Sequence, residues 1–183
     1  DLVVRRGGST PDDSKPGGIR QVWLMRNLQG AGFEDVTAAS GILASRGITG
    51  PGIGRPAEVF AFGDVDNDGD LDVFTGIDTN DETVTLGERP ELLLNDGAGH
   101  FSLASAELPM RAVGRITAVA GASFTDFDRD GNLDLWVAEA RDEYDPVQDH
   151  LYRGDGHGGF SDVTDAQGLT TIRLSTIDDL NNA

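Results

Sequence analysis

The chain contains no cysteine and little positive charge. Without cysteine there are no disulfides, no thiol nucleophiles and no zinc-thiolate sites. Lys and Arg number 14 against 32 Asp and Glu, for a net charge of -18. No basic stripe is available to neutralise phosphates, which disfavours nucleic acid and anionic membrane surfaces as partners. No apolar run approaches the length of a membrane span, and no signal peptide is visible. The first residue is Asp1 rather than Met, so the chain is expected to be processed or cut from something longer. Helical periodicity is absent as well. The three histidines, His100, His150 and His157, have no evident partner in sequence and read as satisfied or solvent-facing. No Ser-His-Asp arrangement or nucleophile elbow is present, so no enzyme signature is found. Glycine, by contrast, is abundant at 25 residues, as many tight turns would require.

What the chain does have is an acidic loop that occurs twice. Asp64-Val65-Asp66-Asn67-Asp68-Gly69-Asp70-Leu71-Asp72 and Asp126-Phe127-Asp128-Arg129-Asp130-Gly131-Asn132-Leu133-Asp134 both read D-x-D-x-D-G-x-L-D. Carboxylates this dense repel one another unless a cation lies between them. Hard oxygens at alternate positions, with a glycine where the backbone reverses, suit Ca2+. Positions 1, 3 and 5 would ligate through side chains, position 7 through its carbonyl, and position 9 would close the site. The expected ligands are Asp64, Asp66, Asp68, Asp70 and Asp72 in one loop, and Asp126, Asp128, Asp130, Asn132 and Asp134 in the other. An EF-hand needs Glu at position 12 and flanking helices, whereas Thr75 and Val137 stand there between β-branched and aromatic runs. Two bound Ca2+ ions would still leave a charge of about -14.

A second motif occurs three times. Asn27 to Phe33, Asn95 to Phe101 and Gly154 to Phe160 each place a Gly-rich turn between an apolar run and a phenylalanine, the signal of a hairpin. The tails agree too: Phe33-Glu34-Asp35-Val36-Thr37 is similar to Phe160-Ser161-Asp162-Val163-Thr164. The acidic loops lie 62 residues apart and the turns 68 and 59 apart, a spacing that marks a repeat architecture. Each unit reads as four antiparallel strands, two around the acidic loop and two around the hairpin turn, as in a propeller blade. The expected fold is therefore all-β, with about three blade-equivalents in one domain and units near 1–56, 57–118 and 119–183. Asp1 aligns with the last acid of a loop, and Asp179-Leu180-Asn181-Asn182-Ala183 aligns weakly with the start of another. Gly7 to Gly18, Ala44 to Pro56, Thr75 to Pro90 and Ala138 to Asp149 read as exposed loops. Trp23 and Trp136 lie in apolar runs and are expected in the core.

The joint pattern of strand, acidic loop, strand and G-x-G-x-F turn resembles the FG-GAP/VCBS repeats of the integrin-α-type β-propeller. It is most similar to the bacterial branch seen in cartilage acidic protein and UnbV-like proteins. The resemblance spans Val22 to Thr37, Phe62 to Phe74, Leu92 to Phe101, Phe124 to Val137 and Leu151 to Thr164. It implies Ca2+ at the ten positions named above, and an extracellular setting where calcium fills such loops. The expected role is non-catalytic: a structural or adhesion module contacting protein or glycan, with self-association through open blade edges. A carbohydrate-binding propeller, for which Tyr144 is the one exposed aromatic in an evident long loop, and a piece of a calcium-dependent polysaccharide lyase remain as alternatives. Arg153-Gly154-Asp155 spells an adhesive tripeptide, but turn chemistry already accounts for Gly and Asp there. The acids from Asp78 to Glu82 lack the loop spacing and read as a solvated turn.

Overall fold

A computed structural model of the chain describes residues 1–5, 22–46, 59–77, 89–111, 118–140 and 148–170. These form three antiparallel sheets and almost no helix. The first sheet holds β1 (Leu2–Arg5), β2 (Val22–Asn27) and β3 (Phe33–Asp35), followed by a single helical turn, α1 (Thr37–Ser40). The second holds β4 (Val59–Gly63), β5 (Asp72–Gly76), β6 (Glu91–Asn95) and β7 (Phe101–Leu103). The third holds β8 (Ala118–Thr125), β9 (Asp134–Ala140), β10 (His150–Gly154) and β11 (Phe160–Asp162). Strands follow chain order across each sheet, so every connection within a sheet joins neighbours.

The three sheets share one register. Leu2 pairs with Met25, Val73 with Leu93 and Leu135 with Tyr152, at the same step of each sheet. Asp1, Asp72 and Asp134 thus hold one structural position, as the repeat alignment expects. The hairpin turns also agree: Asp96 and Asp155 donate their backbone N–H to the carbonyls of His100 and Gly159, and each carboxylate accepts N–H groups from inside its own turn. Gly97 and Gly156 take φ of 74° and 73°, a left-handed conformation that side chains resist. The D-V-T tails have a structural role. Asp35 and Asp162 accept from the backbone and hydroxyl of Thr37 and Thr164, whose hydroxyls accept the N–H of Leu24 and Leu151.

Two apolar clusters join the sheets. One lies between the first and second sheets around Leu24, Ile42, Val73 and Leu93. The other lies between the second and third, around Phe74, Leu92, Leu135 and Tyr152. The second contact is close where the end of β5 meets β8. A Cβ on Gly76 would lie 2.6 Å from Cβ of Val119, and the Val119 N–H reaches the Ile77 carbonyl at 2.6 Å. A bulge between Val119 and Gly121 keeps β8 in step with β9 there.

Two expectations need correction. Trp23 and Trp136 are only half buried and belong to neither cluster; Phe74 and Tyr152 fill the interior instead. Two loops begin later than read: β5 runs through Thr75 and Gly76, and β9 through Ala138 to Ala140, because strand pairing outlasts the apolar runs. The histidines agree with their reading: His150 is satisfied by Asp162 at 2.9 Å and stacks on Tyr152, and the exposed His100 meets Asp96 at 3.1 Å. Tyr144, the acids from Asp78 to Glu82, the Asp179–Ala183 segment and Gly7 to Gly18 lie outside the described residues.

One buried charge cluster ties the second sheet to its surroundings. Glu91 on β6 is fully buried, with Arg46 Nε at 3.4 Å and Arg111 Nε at 2.8 Å. Both arginines also donate to backbone carbonyls, Arg46 to Ala104 and Arg111 to Ala106. Removing one member of a buried ion cluster leaves the others desolvated without compensation. Glu91→Ala is expected to lower unfolding free energy by about 3–5 kcal/mol, read by urea denaturation.

Candidate metal centres

The acidic loops connect β4 to β5 and β8 to β9, so strands flank both and the EF-hand arrangement is absent from them. The two copies take the same backbone path. Position 4 is left-handed in each, with φ of 59° at Asn67 and 62° at Arg129. Asparagine adopts this conformation with little strain, but arginine rarely does. Gly69 and Gly131 at position 6 have φ of 96° and 92°.

Hydrogen bonding inside the loops also repeats. Asp64 accepts the N–H groups of Asp68 and Gly69 at 3.0 and 3.1 Å, and Asp126 accepts those of Asp130 and Gly131 at 3.1 Å each. Asp72 is fully buried and bridges two elements. One oxygen accepts from Val65 N–H in the loop, the other from Asn95 N–H on β6, both at 2.9 Å. Asp134 does the same with Phe127 and Gly154, also at 2.9 Å. The ninth position therefore closes the loop onto the sheet by itself, and each oxygen keeps a lone pair in addition.

One ligand oxygen from each of Asp64, Asp66 and Asp72 lies within 4.8 Å of the others, as does one from each of Asp126, Asp128 and Asp130. These two clusters could hold a metal ion. Asp68 and Asp70 stand outside the first cluster. Asp68 accepts from Asp70 N–H, and the Asp70 carboxylate lies against Gly97, where a Cβ would overlap it. Asp134 stands outside the second; Asn132 Oδ1 accepts from Asn67 Nδ2 at 3.0 Å, which links the two loops. Arg153 pairs with Asp128 and lies over the Phe127 ring at 5.6 Å. Sequence reading found no role for Arg153 beyond the tripeptide. The contact joins residues 25 positions apart, and the equivalent place on β6 is Leu94, so the repeat itself carried no hint of it.

The chemistry of the donor set fits a hard cation. Every converging side chain offers carboxylate oxygen, and Asp66 Oδ1 is buried with no hydrogen-bond partner. An orphaned buried carboxylate oxygen is costly unless a cation meets it. The electrostatics agree. Burial pushes the carboxyl of Asp66 above its ordinary range, and the charges of Asp68 and Asp64 add to the push. Burial likewise raises Asp72 and Asp134, against the hydrogen bonds each receives.

Among known proteins, the chain matches no family model and no curated sequence.

Two outcomes are expected for the metal-free chain. Asp72→Asn and Asp134→Asn each place an amide N–H2 against a backbone N–H that now donates to a carboxylate. Each is expected to cost about 1–3 kcal/mol of stability in excess chelator, measured by chemical denaturation. The second outcome concerns pH. The raised carboxyls of Asp66, Asp72 and Asp134 hold protons more tightly in the folded state than at the ordinary 3.8. Their contribution to stability is full below that value and is lost as pH rises through the raised values. Asp35, held low by Thr37, and Asp155, held low chiefly by the His157 N–H, act in the opposite sense, losing stability as pH falls below 3.8. Burial works upward on Asp162, but hydrogen bonds from Thr164 and the His150 contact outweigh it and hold it low too. In chelator, Tm is expected to fall as pH rises from about 4 toward neutrality, and saturating Ca2+ is expected to abolish that slope.

Proposed function

We propose that the chain is a non-catalytic, calcium-binding set of β-propeller-type repeat units that acts as a rigid extracellular contact module. The observation that carries this reading is the repeated acidic loop: two copies with one backbone path, one hydrogen-bond scheme and three converging carboxylates each. The resemblance to FG-GAP/VCBS repeats points the same way, and the shared register of the three sheets is what repeat units require.

Ca2+ in this reading does no chemistry. It would be held by Asp64, Asp66 and Asp72 in one loop and by Asp126, Asp128 and Asp130 in the other. Calcium accepts six to eight oxygens, so the remaining loop acids, backbone carbonyls and water would complete the shell. Its effect is mechanical. The loop residues already bracket the first two strands of a sheet, and neutralising their mutual repulsion stiffens that bracket. Metal binding and folding are then linked, since an ion held by the folded loop alone stabilises the fold by mass action. A surface that remains strongly acidic favours contacts with neutral or basic protein and with uncharged glycan over anionic polymers.

Isothermal titration with Ca2+ after chelator treatment is expected to give two sites, and Ca2+ at 100 times Kd to add about 2.7 kcal/mol of stability per site. Asp66→Ala and Asp128→Ala are each expected to remove one site and leave the other. A chain that takes up no Ca2+, and melts identically with and without chelator, would overturn the reading.

A further inference from the structure

The two acidic loops share a backbone path but differ in how the carboxylate at their third position is partnered. In the first loop, Asp66 Oδ1 is buried and accepts no hydrogen bond. In the second, both oxygens of the equivalent Asp128 are taken. Oδ1 accepts the Asp130 N–H at 3.3 Å, and Oδ2 receives the Arg153 guanidinium. Arg153 Cζ also lies 5.6 Å from the centre of the Phe127 ring. One guanidinium thus meets two residues of the loop, a carboxylate by charge and an aromatic face by cation–π attraction.

Neither contact has a counterpart in the first loop. Leu135 pairs with Tyr152 and Val73 with Leu93, so the place of Arg153 on β10 is held by Leu94 on β6. Leu94 packs toward the third sheet, its Cδ2 3.4 Å from where a Cβ on Gly158 would stand. Position 2, Phe127 in the second loop, is Val65 in the first, which offers no aromatic face. Charge differs in the same sense. The first loop has five carboxylates and no basic side chain; the second has four, with Arg129 inside it and Arg153 paired to it.

The Arg153 side chain is 44% exposed, and an ion pair this open to water adds little to stability. Its weight falls instead on what else Asp128 can bind. Calcium affinity follows the charge and number of the ligand oxygens. A guanidinium on Asp128 lowers both for the second loop and leaves the first untouched.

We infer that Arg153 is a built-in counter-cation of the second loop and makes the two calcium sites unequal. The loop from Asp64 to Asp72 is the tighter site. The loop from Asp126 to Asp134 is the weaker, filled only when Asp128 exchanges its guanidinium for the ion. The competition is reciprocal: the ion loosens Arg153 by the same factor as Arg153 weakens the ion. Between the two affinities the chain carries one Ca2+, and Arg153 holds the second loop. The inference rests on the calcium-binding reading above and adds which loop fills first and what sets the difference.

The test is calorimetric titration of the whole chain with Ca2+ after chelator treatment, at low ionic strength. Two sites about tenfold or more apart in affinity are expected. Asp128→Ala is expected to remove the weaker and Asp66→Ala the tighter. Arg153→Leu installs the side chain that β6 carries at this place, and is expected to tighten the weaker site about tenfold without moving the other. Arg153→Gln is expected to do the same, which assigns the effect to charge rather than packing; Arg153→Lys, which keeps the charge, is expected to leave the site weak. The tighter site, on another loop, reports that each variant is folded. Two equal sites, or a weaker site that neither Arg153→Leu nor Arg153→Gln moves, would overturn the inference and leave the calcium reading standing. So would loss of the tighter site in Asp128→Ala. Uptake of no Ca2+ by any of these chains would overturn both.

Discussion

The two-oxygen bridge made by Asp72, and again by Asp134, is the contact on which the rest of each unit depends. A buried carboxylate needs partners for its charge. Here it takes one backbone N–H from the acidic loop and one from the third strand of the sheet. That single side chain fixes where the loop turns, and therefore which carboxylates face one another. It also fixes the loop against the hairpin that follows. With Asp72 in place, Asp64 and Asp66 have little freedom to separate, and their repulsion becomes a property of the fold. A cation is the simplest remedy, since moving the carboxylates apart would break the bridge.

The bridge also accounts for how units meet. Once the loop is pinned, its second residue is driven inward, and Val65 is among the most buried side chains of the described residues. Its fourth residue is forced into a left-handed conformation that points the side chain to the neighbouring loop. The hairpin turn of the next unit then receives both. The acidic cluster and the inter-unit contact are two faces of one loop.

Much of this could be read from residue order. The acidic loops, the hairpin turns and the equivalence of Asp1 with Asp72 and Asp134 follow from short motifs whose spacing reflects local backbone geometry. The Phe-x-Asp-Val-Thr tails were visible as a likeness, although the threonine hydroxyl that accepts a strand N–H was not. What stayed hidden depends on contacts distant in sequence. Arg46 and Arg111 converge on Glu91 from opposite directions along the chain. Arg153 reaches Asp128 from a position where the other units carry leucine and another arginine. Periodicity placed the tryptophans in strands, but not on the inward face; the register that buries Phe74 and Tyr152 leaves Trp23 and Trp136 half exposed.

Repetition with variation is the remaining physical theme. Aspartate stands at the ninth position of all three units, and at Asp72 and Asp134 the bridge needs an acceptor oxygen at each end: asparagine offers only one oxygen, and glutamate is a methylene too long for both N–H groups. The fourth and seventh positions vary, Asn67 with Arg129 and Asp70 with Asn132, because they face outward to the adjoining unit. An amide meets an amide in the one pairing the structure contains. Asp70, at the position Asn132 holds in the next unit, instead places its carboxylate against Gly97, so equivalent positions in the two units differ in charge.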